Sequence, residues 1–140
     1  MIVRRSTVGQ QFTVARLVAA IERRHLTIFA RIDHSELARQ VDLELPPVEV
    51  VVFGNPSIGT PLMLSDPRVG IDLPLRMLVW EDGVPQALVG YHDPRELASR
   101  YDLTKHRATL DRMAELLAGI SAEAAGDVRG PHVSEGGLAH

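Results

Sequence analysis

The stretch that most constrains this chain is VEVVVFGNPSIGT, Val48 to Thr60. Its first six residues are almost all β-branched or aromatic, types that lose side-chain freedom in a helix and pack well on a pleated surface, so they read as a strand. Pro46-Pro47 forces an extended break before that strand. After it, Gly54-Asn55-Pro56 is turn chemistry. Thr60-Pro61 reads as an N-cap followed by proline at the first helical position, so a short helix is expected from Pro61, ending near Pro67 or Gly70. A strand that turns through glycines into a helix start is also the layout of a phosphate cradle, in which backbone amides and the helix dipole face an anion. Gly54 and Gly59 stand five apart, but Thr60 occupies the position of the Lys in GxxxxGKS or GxxxxGKT. A triphosphate site is therefore not specified. A small-anion nest stands beside the plainer reading of a structural corner.

The same reasoning extends along the chain. A short first strand is expected within Ile2 to Val8. Val14, Leu17, Val18 and Ile21 then repeat at helical spacing, with Arg16, Glu22, Arg23 and Arg24 on the outer face. LTIFARI places Leu26, Ile28, Ala30 and Ile32 on one side of a strand and Thr27, Phe29 and Arg31 on the other. SELARQVDLEL is weakly helical, with Leu37, Ala38 and Val41 on one face. Leu75 to Glu81, a turn at Asp82-Gly83 and a return from Gln86 to His92 make a β-hairpin. Asp93-Pro94-Arg95-Glu96 is a capping arrangement that should open a helix through Tyr101. Thr104 should cap another helix running to about Gly119, with Leu110, Met113, Leu117 and Ile120 buried. The expected class is α+β: an antiparallel sheet of four to five strands packed against helices on one face, with a C-terminal helix. Residues 1–120 form the single domain, and 121–140, small, polar and glycine-rich, read as a flexible tail.

Composition excludes several functions. With 140 residues, 45% of them hydrophobic, the chain suits one domain with a real core. It has no cysteine, which removes disulfides and thiolate chemistry together and suits a cytoplasmic home. The opening MIVRRSTVGQ has no long apolar core, and no apolar run reaches membrane-spanning length, so a soluble, unprocessed protein is expected. A net charge of −3 opposes nucleic-acid binding, which needs a basic face to displace phosphate counterions.

The candidate chemistries are few. Asp33-His34 and His92-Asp93 close two strands, and strand ends that meet would gather two imidazoles and two carboxylates, ligand types that zinc or iron accepts. No HExxH pairing supports a metal there; Asp93 also serves as a helix cap, and either Asp33 or His34 could cap the segment beginning at Ser35. Ser57 or Thr60 with His34 or His92 as base lacks a G-x-S-x-G elbow. Glu81 and Asp82 point to opposite faces of a strand and more simply solvate a turn. No cofactor is implied and no catalytic residue is assigned.

Four motifs occur in a distinctive order: ARIDH at 30 to 34, FGNPSIGTPLM at 53 to 63, DLPLRMLVWED at 72 to 82 and YHDP at 91 to 94. In this order the chain resembles the family called domain of unknown function 302, small and mostly prokaryotic proteins, over roughly Thr7 to Leu117. The resemblance implies an antiparallel sheet backed by helices, which members can present as a homodimer, and no established activity. Members often carry Lys where this chain has Arg76 and Ser57, which weakens an anion site after FGNP. It marks Asp33, His34, Asn55, Gly59, Thr60, Trp80, Tyr91 and Asp93 as positions of family character. The first seven are the candidate ligand-binding residues, expected to share a pocket between sheet and helix. The leading expectation is a non-enzymatic homodimeric module that binds a small molecule, an anion or a protein. The alternative is a metal-assisted or acid/base enzyme using Asp33 and His34.

Overall fold

The computed structural model describes residues 1–127. The β-rich segments become β1 (Ile2–Arg5), β2 (Thr27–Asp33), β3 (Val48–Gly54), β4 (Leu75–Trp80) and β5 (Leu88–Tyr91), all antiparallel in the order β1-β5-β4-β3-β2. The helical segments become α1 (Gln10–Arg23), α2 (His34–Gln40), α3 (Pro56–Ser65) and α4 (Arg107–Ala125), with short 3-10 turns at Pro67–Ile71, Pro94–Ser99 and Thr104–His106. This is the α+β architecture expected. The hairpin forms, with Val79 opposite Val89, and Arg5 reaches across to hold Asp82 with two bonds of 2.9 Å.

Alternation decides the two faces of the sheet. Val51 and Phe53 of β3, Met77 and Val79 of β4 and Val89 of β5 point to the helix side and are fully buried. Against them pack Val14, Leu17 and Ile21 of α1 and Leu117, Ile120 and Ala124 of α4. Each such Leu, Ile or Phe removed from water contributes roughly 1.5–3 kcal/mol. A second, smaller core joins Leu62 of α3 to Val69, Leu97, Leu103, Leu110 and Met113. The opposite face shows Ala30, Ile32, Val48, Val50, Val52, Leu78 and Trp80, with Ile32 37% exposed and the others half-buried. On this face the Trp80 indole lies across Gly90, so close that a Cβ there would stand 2.9 Å from the ring and 2.7 Å from Met1 Sδ.

Several expectations are corrected. In β2 a bulge between Ile28 and Ala30 interrupts the alternation, leaving Ile28 on the helix side and Ala30 and Ile32 on the other. Helix α3 starts at Pro56, not Pro61, because Asn55 supplies the cap first. Pro61 sits inside the helix. The segment after Asp93 is a 3-10 turn ending at Ser99, and Thr104 makes no capping bond. Helix α4 runs past residue 120 to Ala125, with Ser121, Ala124 and Ala125 buried. It is tied to β1 by the Arg4 Nε bond to Ser121 Oγ at 2.9 Å, and to the segment after β1 by the Thr7 amide on the Ala125 carbonyl. Gly126, at φ 74°, ends the helix in the left-handed conformation that glycine takes without strain. The rest of the expected tail, 128–140, lies outside the described residues.

Candidate functional site

The FGNPSIGT segment is built from its cap. Asn55 Oδ1 accepts the Ser57 amide at 3.0 Å and the Ser57 hydroxyl at 2.7 Å. The Ile58 and Gly59 amides both turn back to the Asn55 carbonyl, at 2.9 and 3.1 Å. Pro56 has no N–H to offer. All four positions at the start of α3 are thus spent internally, and an anion would find no spare backbone donor there. The Ser57 hydroxyl, a candidate nucleophile by sequence, is donated to the same cap.

Behind this cap lies a cavity of about 170 Å³, partly open to solvent. Its floor is the Gly54 end of β3, its roof is Ile58, Gly59 and Met63 of α3, and Leu73, Met113 and Leu116 close the sides. Among the described residues, Asn55 and Thr60 are the only polar side chains on its wall, and no charged residue lines it. The bulge in β2 is what turns Phe29 to the mouth, where its ring comes within 3.9 Å of a Cβ built on Gly54.

Among the sequence-predicted residues, the structure brings together Asn55, Gly59 and Thr60 and separates the rest. Asp33 pairs with Glu49 and Thr27 with Gly54, so Asp33 and His34 stand at the opposite end of β3, about 17 Å away at ~3.4 Å per residue. The Asp33 carboxylate caps α2, accepting the Glu36 amide at 3.0 Å and the Ser35 hydroxyl at 2.5 Å. Those two bonds, Ser35 first, hold it below the usual carboxylate range. His34 is exposed. Trp80 belongs to the open face of the sheet, and Tyr91, 5% exposed, belongs to the core. Burial pushes the Tyr91 phenol up, opposed by its bond to Ser121. A single pocket holding Asp33, His34, Asn55 and Tyr91 therefore does not form.

The DLPLR and YHDP motifs meet elsewhere, in a polar cleft of about 270 Å³ bordered by Asp72, Arg76, His92, Asp93, Glu96 and Arg100. Its carboxylates are engaged. Asp72 accepts the Tyr101 hydroxyl at 2.5 Å and faces Arg100 at 3.6 Å. Asp93 caps its 3-10 turn through the Arg95 amide, and the Arg95 guanidinium, its strongest partner, lowers its pKa. Among the described residues, no three His, Cys, Asp or Glu side chains gather in a metal-holding group.

Two interacting residues were not legible as such beforehand. Asp66 is buried, accepts the Arg68 guanidinium and the Arg68 and Asp102 amides, and so stitches α3 to the segment before α4; these bonds, led by Arg68, hold its carboxyl well below the usual range. Its signal was Asp66-Pro67, the same cap-then-proline order as Asp93-Pro94. His106 meets Ser65 Oγ at 2.6 Å, a contact between distant segments that carries no local signature.

The fold and the motifs can be set beside known proteins. A crystal structure of an uncharacterized conserved DUF302 protein from Bacillus stearothermophilus superposes with a TM-score of 0.78, covering 87% of this chain and 95% of that one at 15% identity. The chain is also 41% identical over 91 residues to the fluoride-specific ion channel FluC 1 of Brucella suis, covering 65% of this chain and 36% of that protein. The match to FluC 2 of Brucella melitensis has the same identity and length and covers 34% of that protein. The chain thus spans about a third of the length of these curated relatives. The family described as Domain of unknown function DUF302 matches residues 2–120, and the chain belongs to that family.

Proposed function

We propose that this domain is a non-enzymatic homodimeric binding module in which a second copy seats on the open face of the sheet. The observation that carries the reading is that face itself. Ala30, Ile32, Val48, Val50, Val52, Leu78 and Trp80 form a continuous apolar surface across β2, β3 and β4, and α1 and α4 lie on the other side. Of the positions these three strands place on that face, only Arg76 is charged. A sheet with two apolar faces needs a layer on each. A two-fold copy supplies it with one self-complementary patch, and closed two-fold dimers are the commonest assembly. Pairing through the β2 edge is the poorer alternative, because that edge carries a bulge and the charged Arg31 and Asp33, devices that discourage strand addition.

The Brucella relatives are named as fluoride-specific ion channels, and this chain matches about a third of each. Among the described residues no helix is long and apolar enough to cross a membrane. We read the shared part as a binding module attached beside the ion path rather than as the path itself.

Light scattering on the purified chain at micromolar concentration tests the pairing. Twice the chain mass is expected, and Val50→Glu, which places a carboxylate at the centre of the apolar face, should give the single-chain mass with its circular dichroism unchanged. A wild-type monomer, or a Val50→Glu dimer, would overturn the proposal.

A further inference from the structure

We propose that the cavity beneath α3 is a binding site for a small uncharged apolar ligand about the size of one aromatic ring. This rests on the reading of the domain as a binding module but not on its pairing, since the cavity lies on the helix side of the sheet and is walled by one chain. Three observations support it.

The first is size. The cavity measures about 170 Å³, and an engineered apolar cavity of roughly 150 Å³ is known to stay dry and take up benzene. The second is chemistry. Leu73, Met113, Leu116, Ile58 and the Phe29 ring present carbon or sulfur, no ionised group among the described residues lines the space, and the Asn55 carbonyl oxygens are already bonded. With Asn55 and Thr60 as the only polar side chains among the described lining residues, an anion or a metal would recover little of its hydration there, whereas an apolar guest has little to give up. The third is access. Phe29 and Met63 stand partly exposed at the opening, 49% and 37%. The roof helix lacks one backbone bond, since Pro61 cannot return an N–H to the Ser57 carbonyl, and Gly59 weakens the same turn. A wall of this kind opens at lower cost than α1 or α4. Met63 and Met113, unbranched and polarisable, can repack around guests of different outline.

The test uses benzene as probe on the full chain with ¹³C-labelled methyl groups. Saturable shifts are expected at the methyls of Met63, Leu73, Met113 and Leu116, while the Trp80 indole N–H on the other face stays in place. Gly59→Leu directs a side chain toward Leu73, because a Cβ there already lies 3.7 Å from Leu73 Cδ1. It should weaken benzene binding by about tenfold or more, near 1.4 kcal/mol. If that variant does not fold, Leu116→Phe fills the space from α4 and carries the same expectation. No saturable shift up to the solubility of benzene, or folded filling variants that bind as the wild type does, would overturn the site. The Val50→Glu chain separates the two proposals: it should still bind benzene, and a loss of pairing alone leaves the cavity standing.

Discussion

Gly59 gives the sharpest check on how the FGNPSIGT segment is built. If its glycines serve a ligand-holding loop, replacing one should damage the fold. If Gly59 is an ordinary residue of α3, alanine should improve it. The geometry predicts the second outcome. Gly59 has no positive φ, and an added Cβ would lie 3.7 Å from Leu73 Cδ1 and 3.9 Å from Met63 Cε, ordinary contact distances. Alanine in a helix interior is favoured over glycine by roughly 0.5–1 kcal/mol, through the freedom glycine retains in the unfolded chain. The new methyl also covers part of the cavity wall, and a fully buried CH₂ is worth about 0.8 kcal/mol. With the site half-buried, the net gain for Gly59→Ala is about 0.5–1.5 kcal/mol. At about 2.1 cal/mol/K per residue over roughly 125 ordered residues, that raises Tm by about 2–6 °C. A thermal melt followed by circular dichroism measures it. A fall in Tm would refute the reasoning, because it would mean that Gly59 needs a conformation or an approach that this helix does not require.

Two further outcomes follow from close contacts and charge. Gly90→Ala should lose about 1–3 kcal/mol, since its methyl would meet Met1 Sδ at 2.7 Å and the Trp80 ring at 2.9 Å. As Trp80 is the sole tryptophan, its fluorescence should report the displacement directly, and an unchanged spectrum and melt would count against the contact. The carboxyls of Asp33, Asp93 and Glu123 are all held below their ordinary values by hydrogen bonds and arginines, so their contribution is complete above the unfolded carboxylate range and drains away as pH falls through the lower folded values. Stability should therefore be level on the neutral side and decline below about pH 4. Asp93→Asn, which keeps an oxygen for the cap but gives up the Arg95 pair, should flatten that decline, and an identical acid profile would remove Asp93 from the account.

Much of the fold was legible in the residues because it depends on neighbours along the chain. The β-branched run of β3, the helical spacing of α1 and the cap at Asp93 all act within a few positions, and the structure keeps them. The errors share a cause. Thr60-Pro61 and Asn55-Pro56 are both helix starts by local rules, and the earlier one prevails because Asn55 immediately follows the end of β3 and its side chain reaches the Ser57 amide first. The bulge in β2 was invisible because it is a register adjustment against β3. Residues 121–125 looked too small to order, but Ser121 and the end of α4 are held by Arg4 and Thr7 of the first segment.

The candidate site divides in the same way. From the residues alone came the elements, the α+β class, the family, and the suspicion that Asn55, Gly59 and Thr60 border something, because turn chemistry and motif order are written locally. Only the tertiary structure decided what they border. Cap bonds close the helix start to an anion, a distant bulge brings Phe29 to the mouth, and α4 contributes Met113 and Leu116 from some sixty residues away. The same packing carries Asp33 and His34 to the other end of the sheet, since antiparallel pairing sends successive strand ends opposite ways, and it sinks Tyr91 into the core. A cavity is a property of surfaces that fail to meet, and no single segment records which surfaces those will be.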